Sequence, residues 1–405
     1  MTNIFNKKNL SEVFLLLPFA FSFALMIWFE GASKVLVITT VISLLSFGIS
    51  FRKRLKSTLI DNLRQPFHIL IWVFTLFIFV QSFLHGVSSR EIRTLLCLSV
   101  IALYFPFRAI KPIYYQIIIV FGCITIFANS VYFCLIVGTS RWAGVINPIP
   151  YASIAGLLAL LSIHAALSTK NTKTKLLFGG FSILPVISLA LTESRGVWLA
   201  FACALLVLFL NKFRFTFKKF ILLLLLSSVA SMLSGSFIKQ RIEQTRYEFE
   251  QIQEGNMNTS IGLRLQMWQA AVKLAEGNWL LGLGNEHFEK LELLYKQRKI
   301  TKALYDYHPP HYHNQFIDSV VKSGLIGLAF LLLLLILPLY LVRHTIKNTK
   351  NIVTAVVALY VVMGLTDAPF YNGQTFILYV LTMLVLLNSA SQPSDQLTDG
   401  SPDVA

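Results

Sequence analysis

The chain has 405 residues, 55% of them hydrophobic and 13% charged, with a mean hydropathy of +0.66 and a formal net charge of +16. Soluble domains carry about 25% charged residues, so half that share together with long apolar runs excludes an ordinary soluble fold. The positive balance would suggest nucleic acid in a soluble protein. Here the Lys and Arg residues fall in short clusters between apolar runs, no aromatic-and-basic module accompanies them, and no nucleic-acid partner is expected.

At the N-terminus Lys7 and Lys8 precede the apolar run Leu15 to Trp28. No small-residue cleavage site follows it and a second apolar run does, so a retained first span is expected rather than a signal peptide. A membrane helix needs about 20 mostly apolar residues. With that ruler twelve spans are expected, at roughly 11–29, 34–51, 67–84, 92–110, 113–138, 150–168, 175–191, 195–211, 217–236, 314–342, 352–366 and 373–390. The four cysteines, Cys97, Cys123, Cys134 and Cys203, lie inside these runs without metal-ligand spacing and read as small buried hydrophobes.

The expected fold class is therefore an all-α polytopic membrane protein of about twelve transmembrane helices with one large helical loop. Residues 1–236 carry the first nine spans, 237–312 the loop, 313–390 the last three spans, and 391–405 a polar, disordered cytoplasmic tail. Basic clusters recur in alternate connections: Lys7/Lys8, Arg52 to Arg54, Arg108/Lys111, Lys170/Lys173/Lys175, Lys212 to Lys219 and Arg343/Lys347/Lys350. The positive-inside rule puts these clusters and both termini in the cytoplasm, and the loop 237–312 outside. The short loops on the outer side hold only Lys34, Arg90, Arg93, Arg141 and Arg195.

Within the loop, Arg264 opens a stretch in which Leu265, Trp268, Val272 and Ala275 recur at helical spacing, an amphipathic helix lying at the interface or over the bundle. Asn278 to Phe288 is a glycine-punctuated turn, and Tyr307 to Tyr312 a Pro-Pro approach to the tenth span.

Four polar residues gather on the outer face without a topological reason. Arg195, in Thr192-Glu193-Ser194-Arg195-Gly196, stands where a helix begins, an end that favours anions. Alone it reads equally as an interfacial arginine that snorkels or pairs with Glu193. Arg264 alone reads as a solvated charge, and Arg241, Arg246 and Arg298 have nothing to fix where they point. His313, in His311-Tyr312-His313-Asn314, sits on a polar overhang of the tenth span, with Gly324 and Gly327 below it allowing close helix packing. Asp367 lies in the short turn Thr366-Asp367-Ala368-Pro369, where it is either a turn residue or a carboxylate that orients His313 or an arginine. His308, His311 and His313 match no strong metal motif, Pro309-Pro310 interrupts them, and no acidic ligand is adjacent in sequence, so no metal is expected.

These positions resemble the O-antigen ligase family and the wider superfamily it shares with O-antigen polymerases and O-linked oligosaccharyltransferases. The resemblance rests on His313-Asn314 followed by Gly324-Leu325-Ile326-Gly327, on Ser194-Arg195-Gly196, on Arg264 before Trp268, and on Gly282-Leu283-Gly284 with Phe288. It implies a bacterial inner-membrane enzyme, without cofactor, that takes an undecaprenyl-diphosphate-linked glycan as donor and a lipid A–core sugar as acceptor on the periplasmic face. Carried over, Arg195 and Arg264 bind the diphosphate, His313 is the base and Asp367 the late aspartate, while Asn314, Gly324 and Gly327 are motif residues. The motif leaves ligase, polymerase and protein O-oligosaccharyltransferase open. A lipid or ion transporter, the rival of another class, places ionisable residues or broken helices near the bilayer midplane. The spans here hold almost none at that depth, His164 lying near the cytoplasmic end of its span.

Overall fold

The computed structural model describes residues 12–139, 144–212 and 235–390, and all regular structure among them is helical. In chain order the first helices are α1 (Leu17–Trp28), α2 (Ala32–Ser50), α3 (Leu55–Leu63), α4 (Pro66–Leu84), α5 (Ser89–Tyr104), α6 (Pro112–Ile136), α7 (Pro148–Ser168) and α8 (Thr172–Leu191). Then come α9 (Arg195–Lys212), α10 (Gly235–Gln253), α11 (Ser260–Ala275), α12 (His287–Lys296), α13 (Lys302–Tyr307), α14 (Gln315–Leu341), α15 (Lys347–Thr366) and α16 (Gly373–Ala390).

Among the described residues eight helices, α2, α4, α6, α7, α8, α14, α15 and α16, are long and apolar enough to cross a membrane. The all-helical, multi-pass class matches the expectation, whereas the described residues do not reach the count of twelve. Residues 217–234 of the expected ninth span, Arg141 and the tail from Ser391 lie outside the described residues. The expected fourth span stops at Tyr104, because Phe105 is extended (φ −69°, ψ 128°) ahead of Pro106. The eleventh begins earlier than expected, at Lys347, which makes it long enough to cross.

In lipid, helices associate through close packing and interhelical hydrogen bonds rather than hydrophobic burial. α7 fits that role: Ala152, Ser153, Ala155, Gly156, Ala159 and Ser162 let its neighbours approach, and 72% of it is buried, against 28% of α8. Hydroxyls inside the bundle find carbonyl acceptors, Tyr360 Oη donating to Thr375 O and Tyr379 Oη to Leu334 O, each at 2.7 Å. The basic turns Arg52–Arg54, Lys170 to Lys175 and Arg343 to Lys347 alternate along the chain with the connections that carry Arg195, His313 and Asp367. The four candidate regions thus share the bundle end opposite those turns.

At that end α11 packs on α12, α13 and α14. Its buried stripe is Met267, Ala270, Ala271 and Leu274, set against Leu283, Leu291, Leu304, Tyr312 and Val321. Of the expected stripe Ala275 is buried and Trp268 packs against this cluster, whereas Val272 is 59% exposed, so the buried face is rotated from the expected one. Both stripes have helical spacing, and the neighbours select between them. α11 also starts earlier than expected, at Ser260 under a Thr259 N-cap, so Arg264 is its fifth residue rather than its first.

The glycines of the tenth span do something other than the expected helix–helix approach. Gly324 takes φ 65° and ψ −164°, which breaks α14 into two segments. The N–H groups released there, on Leu325 and Ile326, donate to the carbonyls of Trp279 (2.6 Å) and Leu280 (3.3 Å), while Leu283 N–H donates to Val321 O (2.8 Å). The Asn278 to Phe288 turn is thereby stitched into the kink. Gly282, at φ 69°, lies so close that a Cβ would stand 2.5 Å from the carbonyl carbon of Lys322. Gly327 faces Ser323 of its own helix.

Candidate functional site

His313 is fixed by what flanks it. Tyr312 is fully buried; its N–H donates to Asp318 Oδ1 (3.2 Å) and its carbonyl accepts from Trp268 Nε1 (2.9 Å). Asn314 caps α14, its side-chain oxygen accepting the N–H groups of Phe316 (3.0 Å) and Ile317 (3.1 Å). Between these anchors His313 takes φ 48°, a left-handed conformation that histidine enters more readily than most residues.

The ring stands with Nδ1 3.2 Å from Asp367 Oδ1, and both side chains are largely buried, 14% and 13% exposed. The contact is at hydrogen-bond distance but off a favourable angle, so a small ring rotation completes it. Nε2 faces the hydroxyl of Tyr307 at 3.3 Å. A proton on Nδ1 shared with Asp367 makes Nε2 the acceptor, here of the Tyr307 hydroxyl, and that is the tautomer a general base needs. Burial pushes the Asp367 carboxyl up, but the hydrogen bond from His313 and the positive fields of His311 and His313 outweigh it and hold the group below its ordinary value.

His311 lies against the same carboxylate, Nδ1 3.6 Å from Asp367 Oδ1. That nitrogen accepts the backbone N–H of His313 (3.2 Å), which leaves the nearer contact with Asp367 to His313, and burial lowers the His311 pKa. No acidic ligand is adjacent to the histidines in sequence, but in space α15 ends by delivering Asp367 to both His311 and His313. The donor atoms of His311, His313 and Asp367 lie within 4.8 Å of one another, the composition of a divalent-cation site.

Arg195, Arg264 and Asp367 meet around one cavity of about 430 Å³. Arg195 is the first residue of α9, and its guanidinium donates to Thr245 Oγ1 (2.7 Å) and Gln244 Oε1 (3.4 Å) of α10. Arg264 is half-buried and has no hydrogen-bond or ion-pair partner among the described residues. Gly196 explains the close approach: a Cβ there would run into the Thr366 hydroxyl, so the glycine brings the start of α9 against the end of α15. Ser194 to Val197 and Ser260 with Ile261 place the N-terminal ends of α9 and α11 on the cavity as well. Its anionic lining is Glu193, Glu248 and Asp367, with Glu248 buried and accepting Ile261 N–H at 3.0 Å.

Of the expected residues, then, three line the cavity and His313 adjoins it through Asp367. Arg246 is engaged by Glu250 at 2.9 Å. Sequence reasoning missed His311 as a partner of Asp367, Tyr307 on Nε2, and Asp318, whose bond to Tyr312 N–H steadies the strand that carries His313. The only signal for Asp318 and Lys322 was their i, i+4 spacing on α14, where they pair at 3.0 Å.

Fold and site together define a multi-pass helical membrane protein with paired cations, a carboxylate and a histidine at one end of its bundle. The O-antigen ligase family model matches residues 180–332, a stretch that holds Arg195, Arg264 and His313 but ends before Asp367, and the resemblance read from the motifs is thereby shown. An uncharacterized protein of Haemophilus influenzae is 27% identical over 393 residues, 92% of this chain and 95% of its own. The O-antigen ligase of Escherichia coli K12 is 24% identical over 238 residues, 57% of this chain and 55% of its own.

Proposed function

We propose that this chain is an O-antigen ligase, moving a glycan from undecaprenyl diphosphate to a sugar hydroxyl of lipid A–core on the periplasmic face of the bacterial inner membrane. The observation that carries the reading is the convergence of Arg195, Arg264 and Asp367 on one cavity, with Asp367 shared by His313. Two guanidiniums and two helix N-termini suit a departing diphosphate, whose negative charge grows as it leaves.

The acceptor hydroxyl approaches His313 Nε2, which takes its proton as the acceptor oxygen bonds to the anomeric carbon. The bond from that carbon to the diphosphate breaks, and its electron pair stays on the lipid diphosphate. Asp367 holds the ring and balances the imidazolium. One displacement by one nucleophile inverts the anomeric carbon. The donor bond stores the driving force, so the scheme uses neither nucleotide nor cofactor, and the arginines do the work a metal would otherwise do.

The test is transfer by the purified full chain, with undecaprenyl-diphosphate-linked glycan and lipid A–core, in the presence and absence of a chelator. Product on lipid A–core with inverted configuration, unaffected by chelation, is expected. Arg264→Ala should raise donor KM, and His313→Ala should lower kcat by about 10²–10⁴. Longer glycan on the lipid carrier with lipid A–core untouched would establish a polymerase instead. Loss on chelation would transfer the His311, His313 and Asp367 cluster to a metal, and retained configuration would remove the single-displacement scheme.

A further inference from the structure

A second polar cavity, of about 100 Å³, opens between α4, α5 and α14 beneath the Pro310 strand. It is separate from the arginine cavity in its lining, and the two differ in charge and floor. Its wall includes Glu91, Ser319, Lys322 and Tyr371, and its floor is apolar, built from Phe74, Leu331 and Phe376. Tyr371 places it beside the base: its ring centroid is 5.5 Å from that of His311, which is 4.3 Å from that of His313.

The polar groups are unevenly committed. Lys322 Nζ is held by Asp318 (3.0 Å), by the carbonyl of Pro310 (2.6 Å) and over the Tyr371 ring (3.7 Å). Asp318 in turn is spent on Lys322 and Tyr312 N–H. The Glu91 side chain, in the first turn of α5, has no hydrogen bond or ion pair among the described residues although it lines this walled space. A carboxylate at a helix start is ordinary on an open surface. In a cavity over an apolar floor, one without a donor is costly until something supplies it.

We propose that this cavity seats the terminal sugar of the acceptor, a single uncharged, hydroxyl-bearing ring, with Glu91 accepting from its hydroxyls and Ser319 beside it. The proposal rests on the glycosyl-transfer reading above. A further anion would meet the Glu91 carboxylate, and the Lys322 ammonium is already held by Asp318. A hydroxyl donates to Glu91 without adding charge, and the carbon face of a pyranose suits the apolar floor. On this assignment the cavity takes the acceptor's end residue and leaves the donor to the arginines.

The experiment measures initial rates for the purified full chain at saturating donor over a range of lipid A–core, for wild type, Glu91→Gln, Ser319→Ala and His313→Ala. Glu91→Gln is expected to raise acceptor KM about tenfold, with kcat within about twofold and donor KM unchanged. Unchanged acceptor KM in both Glu91→Gln and Ser319→Ala, or an equal rise in donor KM, would overturn the assignment. No transfer to lipid A–core by wild type would instead overturn the glycosyl-transfer reading, and wild-type rates in His313→Ala would remove His313 as its base. Independently of turnover, saturation-transfer NMR with delipidated core oligosaccharide should show the terminal ring bound by wild type and lost in Glu91→Gln. Equal signals from both proteins would exclude the cavity as its seat.

Discussion

Asp367 is the residue on which the two halves of the site depend, because it lines the arginine cavity and holds the His313 ring. Asp367→Asn keeps the shape but removes the charge that balances an imidazolium, so kcat should fall by about 10²–10⁴ with little change in donor KM. Steady-state kinetics against both substrates checks this, and a comparable rise in donor KM would assign Asp367 to substrate binding. A second residue-scale effect belongs to His287, which is buried with Nδ1 3.2 Å from the Tyr312 hydroxyl. Burial, with the nearby Lys322 charge adding to it, lowers its pKa to about 3. The unfolded chain then binds a proton near the ordinary 6.5 that the folded chain refuses, so the stability from the neutral ring is present above 6.5 and drains away as pH falls toward 3. The slope is at most about 1.4 kcal/mol per pH unit. Melting temperatures taken between pH 7 and pH 4 should fall less steeply for His287→Gln than for wild type.

At the scale of elements the kink in α14 matters most. Gly324 occupies a backbone region open essentially to glycine alone, and its α-carbon faces the Leu280 carbonyl. Gly324→Ala should cost about 1–3 kcal/mol from the backbone alone, with the clash adding to it, and unstitch the 279–283 turn. The turn's own glycine gives the control: Gly282→Ala should produce the same loss of thermal stability, since its Cβ meets the other side of that contact. A normal melt in both variants would deny the stitch. The sequence signalled these glycines by spacing, yet spacing alone suggested packing between transmembrane helices. A positive φ is a property of the folded backbone, and it was the turn inserted from 40 residues upstream that demanded it. α11 teaches the same lesson, because its two apolar stripes were equally periodic and only its neighbours chose Met267, Ala270, Ala271 and Leu274.

For the whole molecule, the alternation of basic turns with site-bearing connections gives a topology that labelling can test. In a background lacking the four native cysteines, a cysteine at exposed Asn256 should react with an impermeant reagent applied outside cells, and one at Lys173 only after permeabilisation. The reverse pattern would place the candidate site in the cytoplasm and remove the periplasmic reading.

Composition and apolar run length by themselves determined the solvent of this protein, its helical class and the approximate position of most spans, because those depend on transfer free energy summed along the chain. Charge clusters determined which connections share a membrane face for the same additive reason. Motif spacing singled out Arg195, Arg264 and His313. Only the tertiary structure decided that Asp367 sits beside two imidazoles, and that Gly196 brings α9 against α15 so that both arginines and the carboxylate share a cavity. Those are relations between residues 54 to 172 positions apart, set by which helix packs on which, and no local pattern in the chain encodes a distance.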